Sequence, residues 1–193
     1  MGEIAFALVL GFGAIMAALI GSHARKTARA YVMFASALYA SLAAADLLAA
    51  LAHLPGEADA IALLVAALAP ASLALAMAGN RINTALATFI LCVALIAGLF
   101  AAMTGEAAAA FAPLFASVCA MLAMALRRRN IHAGLGALAF LAASASFLSD
   151  AQSARMALAL FSAAGLIGVA LASGAEVEAK RKRPHAFSIN AKR

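Results

Sequence analysis

The sequence predicts an all-α fold, a polytopic bundle of seven transmembrane helices, and three observations lead to it. The chain is 67% hydrophobic and 11% charged, whereas a soluble domain is about half apolar and about a quarter charged. A chain of 193 residues cannot hide such an excess inside a globule, because a folded protein of that size keeps a large surface. The apolar residues also form long Ala/Leu-rich runs without the alternation of a membrane barrel.

Seven apolar runs each approach the roughly 20 residues that a helix needs to cross the hydrocarbon core. They lie near residues 3–21, 30–52, 60–80, 85–103, 108–126, 131–150 and 155–174. The chain opens with Met1, Gly2 and Glu3, whereas a cleaved secretory signal opens with a positive region. We therefore expect the first run to be kept as a transmembrane helix.

The segments between the runs alternate in charge. Basic residues occupy the first, third and fifth segments, whereas Glu57, Asp59 and Glu106 occupy the second and fourth. Of the 14 Lys and Arg residues, all but Arg155 fall on one side of the membrane in this arrangement. The positive-inside rule makes that side cytoplasmic. The sequence thus predicts a multi-pass protein of the bacterial inner membrane with its N-terminus outside and its C-terminus inside.

Residues 1–174 form one transmembrane domain in this interpretation, and residues 175–193 form a basic cytoplasmic tail that we expect to be disordered. The cluster Lys180–Arg183 is expected to lie against anionic headgroups, at about 1 kcal/mol per charge. The net charge of +6 is concentrated on one side of the predicted membrane. It therefore indicates how the chain is oriented in the membrane. A nucleic-acid partner is not expected, because the interleaved aromatic residues of a base-stacking surface are missing.

The chain also contains a possible internal repeat. Phe6 leads to Asp46 after 40 positions, and Phe111 leads to Asp150 after 39, each through an apolar run, a basic segment and a second run. This spacing predicts a 3+1+3 arrangement, in which runs one to three and five to seven are parallel repeats, as in some small transporters. A shared Ala/Leu composition is the alternative explanation.

Asp46 is the first candidate functional residue. A charge inside a bilayer costs about 2.5–3.5 kcal/mol near the centre, so such a residue is a functional hypothesis by default. Tyr39, Asp46 and His53 are spaced by seven, which brings them to one face of a helix. The alternative is a carboxyl group satisfied by a neighbouring helix, with His53 in a loop.

Asp150 is the second candidate, with Ser146 one helical turn before it. Two carboxylates at the same depth could work as an acid and a base, because proximity and a low dielectric separate their pKa values. They could equally bind a metal ion, a proton or another cation. No pair of histidines at i and i+4 indicates a zinc site, and we expect no cofactor.

Two stretches resemble the YhhN, or lysoplasmalogenase-like, family of integral membrane proteins. One is Y-A-S-L-A-A-A-D-L-L at Tyr39–Leu48, and the other combines G-A-L-A-F at Gly136–Phe140 with F-L-S-D at Phe147–Asp150. The resemblance implies hydrolysis of the vinyl ether bond of lysoplasmalogens, with Asp46 and Asp150 in the active site.

Three functions therefore stay open at the level of the sequence. A lipid hydrolase needs the two aspartates close together at a cavity. A transporter coupled to protons or cations would use the same aspartates between parallel repeats. A non-catalytic accessory subunit would bind other membrane proteins through its small-residue faces, so the expected partners are membrane lipid and other membrane proteins.

Overall fold

The computed structural model describes residues 2–52, 57–146 and 152–181, and all regular structure in these residues is helical. One 3₁₀ turn, Gly79–Arg81, joins the third and fourth α-helices. The seven α-helices are α1 (Gly2–Gly21), α2 (Lys26–Ala52), α3 (Glu57–Ala78), α4 (Thr84–Thr104), α5 (Ala107–Arg128), α6 (Ile131–Ser146) and α7 (Gln152–Arg181).

Six of these helices are long and apolar enough to cross a membrane, and they correspond to predicted runs one to five and seven. The described part of α6 has 16 residues. At 1.5 Å per residue it covers about 24 Å, which is less than the roughly 30 Å of a hydrocarbon core. Residues 147–150, which end the predicted sixth run, lie outside the described residues.

Two helices exceed the apolar runs that predicted them by the most residues. α2 begins at Lys26 instead of residue 30, and α7 continues beyond Gly174 to Arg181. Residues 175–181 read A-E-V-E-A-K-R, and Ala, Glu, Lys and Arg are strong helix formers. Residues 182–193 of the predicted tail lie outside the described residues.

The helices form a ring. α1 packs against α2 and α7, and the ring continues through α2–α3, α3–α5, α5–α6 and α6–α7. α3 is the most enclosed helix, with 72% of an 18-residue apolar window within it buried. α4 lies outside the ring, where it packs against α3 and α5. The connections between helices are short, so neighbours along the chain run in opposite directions.

The two ends of the bundle differ in charge. We call one of them the basic end, and it carries Arg25, Lys26, Arg29, Arg81 and Arg127–Arg129. The opposite end, where α1 begins, carries Glu57, Asp59 and Glu106, and we call it the acidic end.

The interior of the bundle is built from small side chains and the exterior from large ones. More than half of the buried apolar residues among those described are alanine, whereas α1 exposes Leu8, Phe12, Ile15 and Leu19 along one face. Small residues let helix backbones approach closely, which drives helix association where lipid offers no hydrophobic force. This distribution of side chains suits a bundle whose solvent is apolar.

One very close helix contact joins α6 and α7. A Cβ atom built on Gly168 would lie 2.9 Å from the Cα atom of Gly136 and 3.0 Å from the carbonyl oxygen of His132. Neither neighbour is a flexible side chain, so only glycine fits at position 168.

Candidate functional site

Tyr39 lies at the centre of the described part of the candidate site. It is only 6% exposed and lies on the buried face of α2. Its side chain is hydrogen-bonded to Ser162 of α7. Its ring stacks on Phe140 of α6, with ring centroids 6.4 Å apart and an angle of 25° between the planes. Tyr39 therefore joins three helices inside the bundle.

A cavity of about 40 Å³ lies beside this cluster. That volume exceeds the roughly 10–15 Å³ needed for one water-sized group, so the cavity holds two or three of them. Within the described parts of the chain, the residues that line it are apolar except for Tyr39 and Ser162. The remaining wall comes from six helices and consists of Phe6, Leu10, Leu42, Ala62, Val65, Ala66, Leu114, Phe140, Ala143 and Leu158.

The cavity lies in the half of the bundle nearer the acidic end. Phe6 is close to the start of α1, and Ala62 is close to the start of α3, where both helices leave that end. Ala66 also lines the cavity, and its carbonyl receives no helical hydrogen bond from Pro70 of α3, which has no N–H.

Asp46 lies next to this cavity on the same helix. It follows Leu42, which lines the cavity, by one turn, or about 6 Å along the axis of α2. Asp46 as a whole is half-buried, whereas its Oδ2 atom is enclosed by protein. The carboxylate thus lies between the apolar cavity and the acidic end. Tyr39 and Asp46 share one face of α2, as their spacing of seven predicts.

The other three predicted site residues are described incompletely. His53 and Asp150 lie outside the described residues, so the meeting of the two aspartates stays a prediction. Ser146 is the last described residue of α6, and its side chain is outside the described part of the chain. It follows Ala143, a cavity residue, by three positions, so α6 ends close to the level of the cavity.

Sequence reasoning did not single out Ser162, the hydrogen-bond partner of Tyr39. A hydroxyl residue within the long apolar run of α7 was the only available signal. In the sequence, Phe140 stands out only as part of the second family-like motif. Both residues are identified as partners of Tyr39 only when the packing of α2 against α6 and α7 is known.

A second cavity, of about 20 Å³, lies at the basic end. Its wall comes from α2, α3, α5, α6 and α7 and the segments next to them, and it includes Arg25 and Arg128. In the part of the chain that the structure describes, no three His, Cys, Asp or Glu residues come together to form a metal site.

Comparison with known proteins gives no match. No family model matches the sequence, and no curated protein or solved structure is significantly similar to the chain.

Proposed function

We propose that this protein is a membrane hydrolase of single-chain lipids, similar in activity to the lysoplasmalogenases. One observation carries the proposal. An apolar cavity inside the bundle has a hydrogen-bonded Tyr39–Ser162 pair on its wall, and the carboxylate of Asp46 follows one turn beyond it. An apolar pocket with a few polar groups is the usual form of a small-molecule site.

We further propose that the protein crosses the bacterial inner membrane seven times, with its N-terminus outside. The concentration of positive charge at one end of the bundle supports this orientation. The acidic end then faces outward, and the cavity lies in the outer half of the membrane. A single-chain lipid of the outer leaflet would place a short part of its chain, two or three methylene-sized groups, in the cavity. Its headgroup would stay near the acidic end.

The reaction we propose is hydrolysis of a vinyl ether. Asp46 in its protonated form would donate a proton to the β-carbon of the vinyl group, as a general acid. Water would add to the resulting oxocarbenium carbon, with Asp150 accepting a proton from it. The hemiacetal would then collapse, breaking the bond between that carbon and the glycerol oxygen. The departing glycerol oxygen takes up a proton, and the hemiacetal hydroxyl gives one up to form the carbonyl of the aldehyde. One water is consumed, and the products are a fatty aldehyde and a glycerophospholipid without its chain.

The test measures aldehyde release from a lysoplasmalogen by the full-length protein in detergent. Asp46→Asn is expected to lower kcat at least 100-fold, within the 10²–10⁴ range typical of a general acid. The matched control is Asp59→Asn, which neutralises an exposed carboxylate and should leave kcat within twofold. A saturated ether analogue should not react. Full activity in the Asp46 variant, or no activity in the wild type, would contradict the proposal.

A proton- or cation-coupled transporter is the second candidate. The observation that favours it is the pair of cavities in opposite halves of one bundle, because a transported solute needs access from both ends. The wild-type protein in liposomes should then show uptake that depends on a pH or cation gradient, and Asp46→Asn should abolish it. If the wild type is inactive in both assays, the accessory-subunit interpretation is favoured.

A further inference from the structure

We propose that the cavity at the basic end is a binding site for a phosphate group. The proposal is independent of the hydrolase and of the cavity beside Tyr39. Its basis is the composition of the cavity wall, which five helices and the segments next to them supply. The wall contains two arginines and several other polar residues. The wall consists of Arg25, Thr27, Ala28, Ala76, Met77, Gly79, Arg128, Asn130, Ala133, Ala172 and Ser173.

The two arginines are suited to hold an anion. Arg25 comes directly before α2, Arg128 ends α5, and both are half-buried instead of fully extended into solvent. A guanidinium group is always charged and can form two parallel hydrogen bonds to phosphate. Two guanidinium groups at one cavity therefore provide both charge and directed donors.

Backbone dipoles add to this positive potential. α2 and α6 both begin at the cavity, which Ala28 and Ala133 help to line near the two helix starts. The first N–H groups of a helix lack partners within it, and the N-terminus carries a partial positive charge. Asn130 occupies only one of these donors, because its Oδ1 atom accepts from the amide of Ala133 at 3.2 Å.

The C-terminal end of α5 lies at the same cavity, and its free carbonyl groups would carry a partial negative charge. Hydrogen bonds partly neutralise this charge. Arg129 has a φ of 50°, the left-handed conformation that closes a helix. Its amide donates to the Leu126 carbonyl at 3.2 Å, and the amide of Asn130 donates to the Ala125 carbonyl at 3.1 Å. These bonds occupy carbonyl groups that would otherwise repel an anion near the cavity.

The size of the cavity limits how the ligand enters. A volume of about 20 Å³ holds one water-sized group, so one phosphate oxygen fits inside while the rest stays at the surface. Among the residues that the structure describes, none of those lining the cavity is acidic. Glu176 and Glu178, the nearest acidic residues on α7, follow the cavity residue Ser173 toward the end of the helix. The ligand is therefore a phosphate that projects outward, as a phospholipid headgroup or a soluble phosphate does.

The experiment uses the full-length protein with two probes. Inorganic phosphate is titrated against the protein in detergent, and native mass spectrometry counts phosphatidic acid retained from nanodiscs that also contain phosphatidylcholine. The double variant Arg25→Gln/Arg128→Gln should lower the affinity for the bound probe at least tenfold. The control is Arg29→Gln/Arg127→Gln, which removes two exposed arginines, one on α2 and one on α5, and should cost less than threefold.

Binding of inorganic phosphate supports a soluble ligand, and retention of phosphatidic acid alone supports a lipid headgroup. Equal losses in the two double variants would instead show diffuse attraction between screened charges, and this would overturn the proposal. Failure of the wild type to bind either probe would also overturn it. If the glutamine variant does not fold, Arg25→Lys/Arg128→Lys keeps the charge but loses the paired hydrogen bonds, and it should still lower the affinity at least threefold.

Discussion

At the scale of single residues, the hydrogen bond between Tyr39 and Ser162 is the main polar contact described inside the bundle. We expect Tyr39→Phe to lower the free energy of unfolding by about 0.5–1.5 kcal/mol, the typical net worth of one hydrogen bond. A double-mutant cycle with Ser162→Ala, followed by thermal unfolding in detergent, measures the coupling directly. Tyr31→Phe on the same helix is the control, and fully additive losses at positions 39 and 162 would contradict the expectation.

Ser36, also on α2, is buried with 3% exposure. Its hydroxyl makes no hydrogen bond within the part of the chain that the structure describes. Ser36→Ala should therefore leave stability unchanged or raise it by up to about 1 kcal/mol, because a buried group without a partner carries a desolvation cost. Ser72→Ala is the matched control, since the Ser72 hydroxyl donates to the Ala69 carbonyl at 2.8 Å. A loss of stability larger at position 36 than at position 72 would show that Ser36 has a role that packing does not explain.

At the scale of helices, the contact between α6 and α7 depends on glycine. We expect Gly168→Ala to destabilise the protein by about 1–3 kcal/mol, the usual cost of an overpacked interior, because its Cβ would meet backbone atoms of α6. Gly134→Ala on α6 is the control, since its Cβ would lie 3.9 Å from the nearest side chain. Thermal unfolding in one detergent compares the two variants. If the two variants were equally stable, α6 and α7 would be able to move apart without a loss of folding free energy, and the expectation would be wrong.

The sequence predicted the helices better than their ends. Hydropathy locates a helix core because lipid selects apolar side chains there, but it carries no information about polar turns that continue a helix into water. This is why α2 begins earlier than predicted and α7 ends later. The heptad spacing correctly placed Tyr39 and Asp46 on one face. It could not identify Ser162 or Phe140 as partners of Tyr39, because those contacts depend on which helices are neighbours.

At the scale of the whole molecule, the orientation in the membrane is open to a direct test. In a background with Cys92→Ala and Cys119→Ala, we expect a membrane-impermeant maleimide to label Glu106→Cys in intact spheroplasts. Arg129→Cys should be labelled only after the membrane is opened, because thirteen of the fourteen Lys and Arg residues would otherwise face the wrong side. The reverse labelling pattern would contradict the proposed topology, and with it the outer-leaflet position of the lipid.

The position of α4 has a consequence for how the chain could be divided. α3 and α5 run in the same direction and touch each other directly, and α4 contributes to neither cavity. Its structural task is to carry the polypeptide back across the bilayer between two groups of three helices. Two separately made fragments, one ending after α3 and the other starting at α5, would retain every contact of the six-helix ring. A gene fission at this point would therefore preserve the walls of both cavities.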